Sequence, residues 1–214
     1  MQPKIKICGM REEANLREIA RLSPDYLGFI YYRKSPRYVG ADFNPEWGPE
    51  MDSIRKVAVF VDEPLESALD IMARAGYDAA QLHGNESPAY CRDIKAAGIQ
   101  VIKAFGVDRD FDFSRLEAYE PVVDYFLFDS KTRDYGGSGK TFGWDLLQGY
   151  RGSRPFFLSG GLEPGNLKQA LQATSGLPLY GLDLNSRIEQ APGLKDAEKA
   201  SEAISMIKQG EYEN

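Results

Sequence analysis

Short runs rich in Val, Ile, Phe and Tyr alternate along the chain with stretches in which apolar residues recur every three to four positions. This alternation is typical of repeated strand–helix units. Eight strands are predicted, at Lys4–Cys8, Tyr26–Tyr31, Lys56–Val61, Ala79–His83, Gln100–Phe105, Asp124–Asp129, Phe156–Ser159 and Leu179–Leu184. Helices are predicted between most of them, at Glu12–Arg21, Leu65–Ala75, Pro88–Ala97, Phe111–Tyr119, Trp144–Tyr150, Glu163–Ala173 and Ala197–Lys208.

Strand starts recur roughly every 20 to 32 residues, which is the length of one strand–helix unit. Eight such units in 214 residues fit a compact α/β protein, a (β/α)8 TIM barrel. A doubly wound sheet is the alternative, but it usually has fewer strands and a glycine-rich phosphate loop after the first one. The first turn here, CGMR, has a single glycine. No linker divides the chain, so one barrel domain over residues 1–214 is expected.

The composition, with 43% hydrophobic and 27% charged residues, is that of a globular protein. No apolar run approaches the ~20 residues that cross a bilayer, so no membrane partner is predicted. The N-terminus leads directly into a strand pattern without a signal region, and a cytoplasmic location is expected. The net charge is −6 and no Lys/Arg cluster is present, so nucleic acid is not predicted as a partner. An anionic small molecule remains compatible, because a few local donors decide its binding.

The chain has two cysteines, Cys8 and Cys91, and a single histidine, His83. This set cannot form an ordinary structural zinc site, and no metal is predicted. A disulfide is not expected in a cytosolic chain. Cys91 lies in a predicted helix and is interpreted as a small buried apolar residue.

The ends of the predicted strands carry the candidate chemistry, because catalytic groups of a (β/α)8 barrel lie at the C-terminal ends of its strands. Cys8 ends the first strand, where a thiolate would serve as base or nucleophile and nearby cations would lower its pKa. Asp129 ends the sixth strand and would donate a proton if apolar walls raise its pKa. By alternation, Lys6 and Lys103 face the interior, each near a carboxylate such as Asp129 or Asp183. A packing role for each of these side chains is the competing interpretation.

Two neighbouring loops suggest an anion site. Gly160 and Gly161 leave backbone N–H groups free to approach an oxyanion, and the segment Leu184–Arg187 would open a short helix toward the same spot. Loops after strands seven and eight commonly hold a phosphate in such barrels, although Gly-Gly is also frequent in plain turns. The glycine-rich run at 135–141 lacks the P-loop spacing and is interpreted either as a lid over the mouth or as a connection without a role.

Several segments resemble phosphoribosylanthranilate isomerase, and they follow one another from the N-terminus to the last helix. They are KICGM at 6–10, GFIYYRKSPRYV at 28–39, VFVDEP at 59–64, QLHGNES at 81–87, VIKAFGV at 101–107, FDSK at 128–131, YGGSGKTFGW at 135–144, LSGGLEPGN at 158–166 and GLDLNSRIEQAPGLKD at 181–196. The resemblance implies a cofactor-free enzyme of tryptophan biosynthesis. Its phosphorylated small-molecule substrate, N-(5-phosphoribosyl)anthranilate, undergoes an Amadori rearrangement, and the enzyme is a monomer or homodimer.

The resemblance also implies roles for individual residues. Cys8 corresponds to the general base and Asp129 to the general acid that assists opening of the sugar ring. Arg37 would bind the anthranilate carboxylate, and Asp183 would hold the sugar hydroxyls or the neighbouring amine. The phosphate would lie against four residues of the last two loops, namely Gly160, Gly161, Asn185 and Ser186. Many family members have Ser-Ser-Gly where this chain has Asn185-Ser186-Arg187.

Three other functions remain open at this point. A related sugar-phosphate isomerase acting on an aminoaldose would use the same acid–base logic, but such an enzyme is expected to have an Asp as its base. A Cys/His hydrolase would need Cys8 and His83 to meet across the barrel, and it lacks an evident orienting group. A barrel that only binds a phosphorylated ligand or a partner protein would not need Cys8, Asp129 and Arg37 together.

Overall fold

The computed structural model describes residues 2–130 and 143–210. Eight parallel strands form a closed barrel in chain order, with the last strand paired to the first. The strands are β1 (Lys4–Ile7), β2 (Tyr26–Ile30), β3 (Arg55–Phe60), β4 (Ala79–Leu82), β5 (Gln100–Val107), β6 (Tyr125–Ser130), β7 (Phe156–Leu158) and β8 (Leu179–Leu184). The predicted (β/α)8 barrel is therefore confirmed, and each predicted strand overlaps an observed one.

Five α-helices cover the outside of the barrel within the described residues. They are α1 (Glu13–Arg21), α2 (Leu65–Ala75), α3 (Pro88–Ala96), α4 (Leu167–Ala173) and α5 (Ala197–Gln209). Local chemistry sets their ends: Ser87 caps the N-terminus of α3 through its side chain, and Gly76 ends α2 in the left-handed conformation with φ of 63°. In the described part of the chain, no helix is long and apolar enough to span a membrane.

The helices predicted at Phe111–Tyr119 and Trp144–Tyr150 are found as 3-10 helices, and both are shorter than predicted. The 3-10 helices at these two places are Phe113–Leu116 and Trp144–Gly149. Further 3-10 helices lie at Pro49–Met51, Glu120–Val122, Pro164–Asn166 and Ser186–Ile188. Pro121 has no backbone N–H to donate to a helix that continues from Phe111–Tyr119, and a run as short as Trp144–Gly149 cannot sustain an α-helix by itself. The rings of Phe111 and Phe113 pack on the barrel wall, so burial fixes these segments without a full helix.

Alternation along the strands divides the apolar residues into two clusters. The inner cluster fills the barrel and includes Val57, Ile102 and Leu127, whereas the outer cluster packs the opposite strand faces against the helices. On β5 the inner face carries Ile102 and Ala104, so Lys103 lies on the outer face and the prediction that it faces the interior is wrong. Its ammonium pairs with Glu86 at 3.1 Å rather than with an interior aspartate.

A small antiparallel hairpin follows β8, formed by β9 (Glu189–Ala191) and β10 (Leu194–Lys195). Gly193 in its turn has φ of 85°, a left-handed conformation that suits glycine after the preceding proline. The hairpin places Lys195 opposite Glu189. Asn15 of α1 ties it down, accepting a hydrogen bond from the Lys195 N–H at 2.7 Å and donating one to its carbonyl at 2.9 Å.

Candidate active site

Cys8 lies directly after β1, on the inner face of the barrel mouth. Its backbone N–H donates to the Leu184 carbonyl at 2.9 Å, which continues the β1–β8 pairing past the end of the strand. On the neighbouring strand, a Cβ added to Gly28 would lie 2.8 Å from Sγ of Cys8 and 3.1 Å from Nζ of Lys6. The thiol and the ammonium therefore converge over a glycine that leaves them room, as their shared face on β1 predicts.

Lys6 and Asp183 form a buried ion pair beside this thiol. Nζ of Lys6 donates to Oδ1 of Asp183 at 2.7 Å, and both side chains are almost fully buried. The second carboxylate oxygen of Asp183 accepts a longer hydrogen bond, 3.4 Å, from the hydroxyl of Ser159 at the end of β7. The predicted partnership of Lys6 with an interior carboxylate is thus confirmed, with Asp183 as the partner.

The pKa of the Cys8 thiol is raised from its ordinary value. Burial is the main cause, and the nearby Asp183 carboxylate adds to it. The charge and hydrogen bond of Lys6 and the charge of Lys195 act in the opposite direction but do not outweigh burial. The cations lower this pKa as expected, but the net shift is upward, because the depth at which Cys8 is buried does not follow from the sequence pattern.

Asp129 lies on the inner face of β6 near the histidine that follows β4. Nε2 of His83 and Oδ2 of Asp129 are 3.7 Å apart. Burial, with the charges of Lys103 and Lys6, lowers the pKa of His83 to about 4, so the imidazole is neutral at pH 7. Its Nδ1 contacts the amide nitrogen of Gln81 at 2.9 Å. With that N–H donating, the ring proton is on Nε2, which faces Asp129.

The two loops predicted to bind an anion follow neighbouring strands. Gly160 and Gly161 have φ of 94° and 69°, a backbone region that glycine adopts readily and residues with a Cβ rarely adopt. Asn185 and Ser186 follow β8, and Ser186 opens a 3-10 helix. Arg187 is not among the positive-φ residues of the described chain, so its own backbone does not require glycine, whereas Asn185 before it has φ of −144° and ψ of −99°.

Arg37 lies at the same mouth, buried against the hairpin that follows β8. Its Nε donates to Oε1 of Glu189 at 2.9 Å, and its Nη2 donates to Oε2 at 2.6 Å. Glu189 also accepts a hydrogen bond from Nζ of Lys195 at 2.7 Å. A Cβ on Gly9, the residue after Cys8, would lie 2.7 Å from Cδ of Arg37. The arginine therefore packs directly on the Cys8–Gly9 turn.

The predicted site residues all lie at the ends of strands or in the loops that follow them, on one face of the barrel. Sequence reasoning missed Glu189 and Lys195, although Pro192-Gly193 between them signals a hairpin that would bring them together. The glycine-rich loop predicted as a lid, Gly136–Gly139, lies outside the described residues. Within residues 2–130 and 143–210, no three His, Cys, Asp or Glu side chains are grouped closely enough to hold a metal ion. Cys91 is fully buried on α3, as interpreted from the sequence.

The chain is similar to known proteins over nearly its whole length. The family model of N-(5'-phosphoribosyl)anthranilate (PRA) isomerase matches residues 5–206. A relative of that name from Phocaeicola vulgatus is 46% identical over 205 residues, covering 96% of this chain and 98% of its own.

Solved structures of the same family share the fold. One is a phosphoribosylanthranilate isomerase in complex with reduced 1-(o-carboxyphenylamino)-1-deoxyribulose 5-phosphate, with a TM-score of 0.77 and 29% identity over 97% of this chain and 99% of that chain. Another contains monomers generated from the dimeric isomerase of Thermotoga maritima, with a TM-score of 0.78 and 30% identity over 96% of this chain and 98% of that chain.

Proposed function

The chain belongs to the N-(5'-phosphoribosyl)anthranilate isomerase family, and on that premise we propose that Cys8 is the general base and Asp129 the general acid of its reaction. The reaction is the conversion of N-(5'-phosphoribosyl)anthranilate to 1-(2-carboxyphenylamino)-1-deoxyribulose 5-phosphate, an aldose–ketose isomerisation of tryptophan biosynthesis. It needs one group that gives a proton to the ring oxygen and one that removes the proton from C2.

In the proposed first step, Asp129 protonates the furanose oxygen as the C1–O bond breaks, and the substrate nitrogen supplies the electron pair that forms the Schiff base. The carboxylate left behind lies 3.7 Å from Nε2 of His83. Because this imidazole is neutral and has its proton on Nε2, it offers an N–H to the new negative charge. His83 supports the acid without exchanging a proton itself.

In the second step, the thiolate of Cys8 removes the C2 proton, and the electrons of the C–H bond move into the Schiff base to form the enolamine, which becomes the ketone. The observation that carries this role is the buried Lys6–Asp183 pair beside the thiol. Asp183 holds the Lys6 ammonium beside the thiol, and Lys6 stabilises the thiolate. Burial outweighs this effect and raises the pKa of Cys8, so the thiolate, once formed, is a strong base. A proton passes from Cys8 back to Asp129 through solvent before the next turnover.

The same proposal assigns the binding residues. Arg37 binds the anthranilate carboxylate, for which a planar guanidinium is suited. Asp183 contacts the sugar hydroxyls or the amine nitrogen. The phosphate binds in the loops after β7 and β8, where Gly160, Gly161, Asn185 and Ser186 supply backbone and side-chain donors.

Steady-state turnover of N-(5'-phosphoribosyl)anthranilate, generated in situ and followed by its fluorescence, tests the two catalytic roles. Cys8→Ala and Asp129→Asn are each expected to lower kcat by at least ~100-fold, the scale of removing a general acid or base. Cys91→Ala is the matched control, since it removes the other buried thiol, on α3, and should leave kcat within about twofold. Unchanged turnover in either catalytic variant would remove that residue from the mechanism.

We further infer that residues 1–214 form one catalytic domain, without cofactor or metal, located in the cytoplasm and without a nucleic-acid or membrane partner. The family match over residues 5–206 supports the single domain. A monomer or a homodimer is proposed, and the dimeric Thermotoga relative supports the second form. Sedimentation of the purified protein distinguishes the two states.

A further inference from the structure

Arg37 is held by one edge of its guanidinium. A guanidinium has two edges that match a carboxylate, the side edge formed by Nε and Nη2 and the end edge formed by Nη1 and Nη2. Glu189 occupies the side edge, accepting from Nε at 2.9 Å and from Nη2 at 2.6 Å. Within residues 2–130 and 143–210, Nη1 donates to no protein group. It is not fully buried either, so it reaches solvent. The end edge is therefore the one open to a ligand.

Glu189 is in turn fixed from three directions. Its Oε1 accepts from Nζ of Lys195 at 2.7 Å and from the N–H of Gly193 at 3.1 Å, in addition to the bonds from Arg37. Burial alone would raise the pKa of Glu189, but the hydrogen bonds of Arg37 and the charge of Lys195 lower it below its usual range. The carboxylate is thus ionised and immobile at neutral pH.

Lys195 connects this carboxylate to the other loop of the mouth. Its ammonium, fully buried, also donates to Oδ1 of Asn185 at 2.7 Å, and its backbone is tied to Asn15 of α1. One buried cation therefore fixes both the partner of Arg37 and the first residue of the proposed phosphate loop.

The charges of this cluster leave it suited to an anion. Arg37 and Lys195 carry two positive charges and Glu189 one negative charge, so the buried cluster has a net charge of +1. Without Lys195, Glu189 would cancel the charge of Arg37 and repel an approaching carboxylate. With Lys195 present, Glu189 can orient the guanidinium while the site stays attractive to an anion.

We propose that Glu189 and Lys195 are positioning residues for the substrate: Glu189 holds the side edge of Arg37 so that the end edge is fixed for the anthranilate carboxylate, and Lys195 holds Glu189 and offsets its charge. This inference rests on the proposed role of Arg37. The benefit is preorganisation, because an arginine fixed before binding loses little side-chain freedom when the ligand arrives.

The test compares two ligands that differ only in the carboxylate. One is reduced 1-(o-carboxyphenylamino)-1-deoxyribulose 5-phosphate, and the other is its counterpart with a plain phenyl ring. Calorimetry gives the dissociation constant of each, and their ratio is the carboxylate preference. Wild type is expected to prefer the carboxylate by about 100-fold, the scale of charged bidentate hydrogen bonds.

The informative variant is Glu189→Gln combined with Lys195→Met. It removes the two charged groups that hold Arg37, here called the clamp, and keeps the net charge of the cluster. We expect it to lose about tenfold of the carboxylate preference, with KM raised and kcat within about threefold. The matched control is Glu86→Gln with Lys103→Met. It removes a second buried Lys–Glu pair, on the outer face of β5, and should leave the preference unchanged. If the double variant at 189 and 195 does not fold, Glu189→Asp, which keeps the charge on a shorter side chain, is expected to reduce the preference by several-fold.

The outcomes distinguish carboxylate binding by Arg37 from the positioning of Arg37 by Glu189 and Lys195. If Arg37→Ala keeps the carboxylate preference, the proposed role of Arg37 is wrong and the clamp loses its purpose. If Arg37→Ala abolishes the preference but neither variant at Glu189 reduces it, the arginine binds the carboxylate and the positioning role alone is overturned. A stronger preference in Glu189→Asp or in the double variant would also overturn it, because Glu189 would then be a competitor for Arg37.

Discussion

The two ends of the barrel interior are built on the same strands but carry opposite chemistry. At the N-terminal end, Tyr26, Tyr125, Phe157 and Tyr180 form an aromatic floor with ring centroids 4.1 to 6.2 Å apart. The hydroxyls of Tyr26 and Tyr180 bond to each other at 2.8 Å. Burial and the neighbouring tyrosine raise the pKa of Tyr125 to about 12, so this hydroxyl is uncharged at neutral pH.

The mouth, formed by Lys6, Cys8, His83, Asp129 and Asp183, is made of ionisable side chains. On β7 the two ends are only one inward-facing residue apart. Phe157 belongs to the floor, and Ser159, two residues later, bonds to Asp183 at the mouth. The polar groups of the floor satisfy one another, whereas the mouth keeps a thiol with a raised pKa and a neutral imidazole beside a carboxylate. The floor therefore serves stability and the mouth serves chemistry, within one continuous packed interior.

Truncating the centre of the floor gives the largest expected effect. Phe157 is fully buried and contacts the rings of Tyr26, Tyr125 and Tyr180, so Phe157→Ala is expected to lower the free energy of unfolding by about 3–5 kcal/mol. Because the mouth keeps its own bonds, kcat per folded molecule should stay within about threefold. Denaturant unfolding and active-site titration measure the two quantities.

Phe157→Leu serves as the control, since it keeps most of the volume and should cost less than about 1.5 kcal/mol. A fall in kcat that matches the loss of stability would contradict this division of roles, because the floor would then position the catalytic groups as well.

A methyl group added at the mouth should lower kcat, whereas truncation in the floor lowers stability. A Cβ at Gly28 would lie 2.8 Å from Sγ of Cys8 and 3.2 Å from its Cα, and the Cα is backbone that yields little. Gly28→Ala is therefore expected to displace the thiol and lower kcat by about 100-fold, the effect of a misplacement of about 1 Å. Gly165→Ala is the control, because nothing lies within 4 Å of the added Cβ and activity should not change. Activity near the wild-type level in Gly28→Ala would mean that the site tolerates movement of Cys8.

The sequence was sufficient for the barrel and for the residues that end its strands. Each strand is a short apolar run between polar turns, and Lys4–Ile7 is a strand as the pattern predicts. Apolar residues spaced three to four apart predict the helix that is found at Leu65–Ala75. The position of Cys8 at the end of β1 follows from that pattern alone, and its proximity to Lys6 follows from alternation.

The rest depends on contacts that pattern does not encode. The strand QVIKAFGV has apolar residues on both faces, so alternation gives no phase and Lys103 was assigned to the wrong side. Glu189 and Lys195 are polar residues in a surface-like stretch, and their burial depends on contacts with distant parts of the chain: Glu189 pairs with Arg37, and the Lys195 backbone bonds to Asn15. The pKa of Cys8 could not be predicted because burial and Lys6 act in opposite directions and their balance depends on the packing.

The neutral imidazole at the mouth should make stability depend on pH in acid, and this change is smaller than the two above. The pKa of His83 is lowered from 6.5 to about 4 in the folded protein, chiefly by burial. Above pH 6.5 the imidazole is neutral in both states, so it does not affect stability. As the pH falls from 6.5 toward 4, the unfolded chain gains a proton that the folded protein does not, so the free energy of unfolding decreases.

The loss is expected to reach about 2 kcal/mol, a value that allows for the quarter of the His83 side chain that is exposed. In His83→Gln this part of the pH dependence should disappear, whereas Tyr180→Phe in the floor should shift stability by the same amount at every pH in that range. Urea unfolding of the three proteins across the range measures both slopes. An equal pH dependence in wild type and His83→Gln would show that the imidazole is not held neutral, and its proposed N–H toward Asp129 would lose its basis.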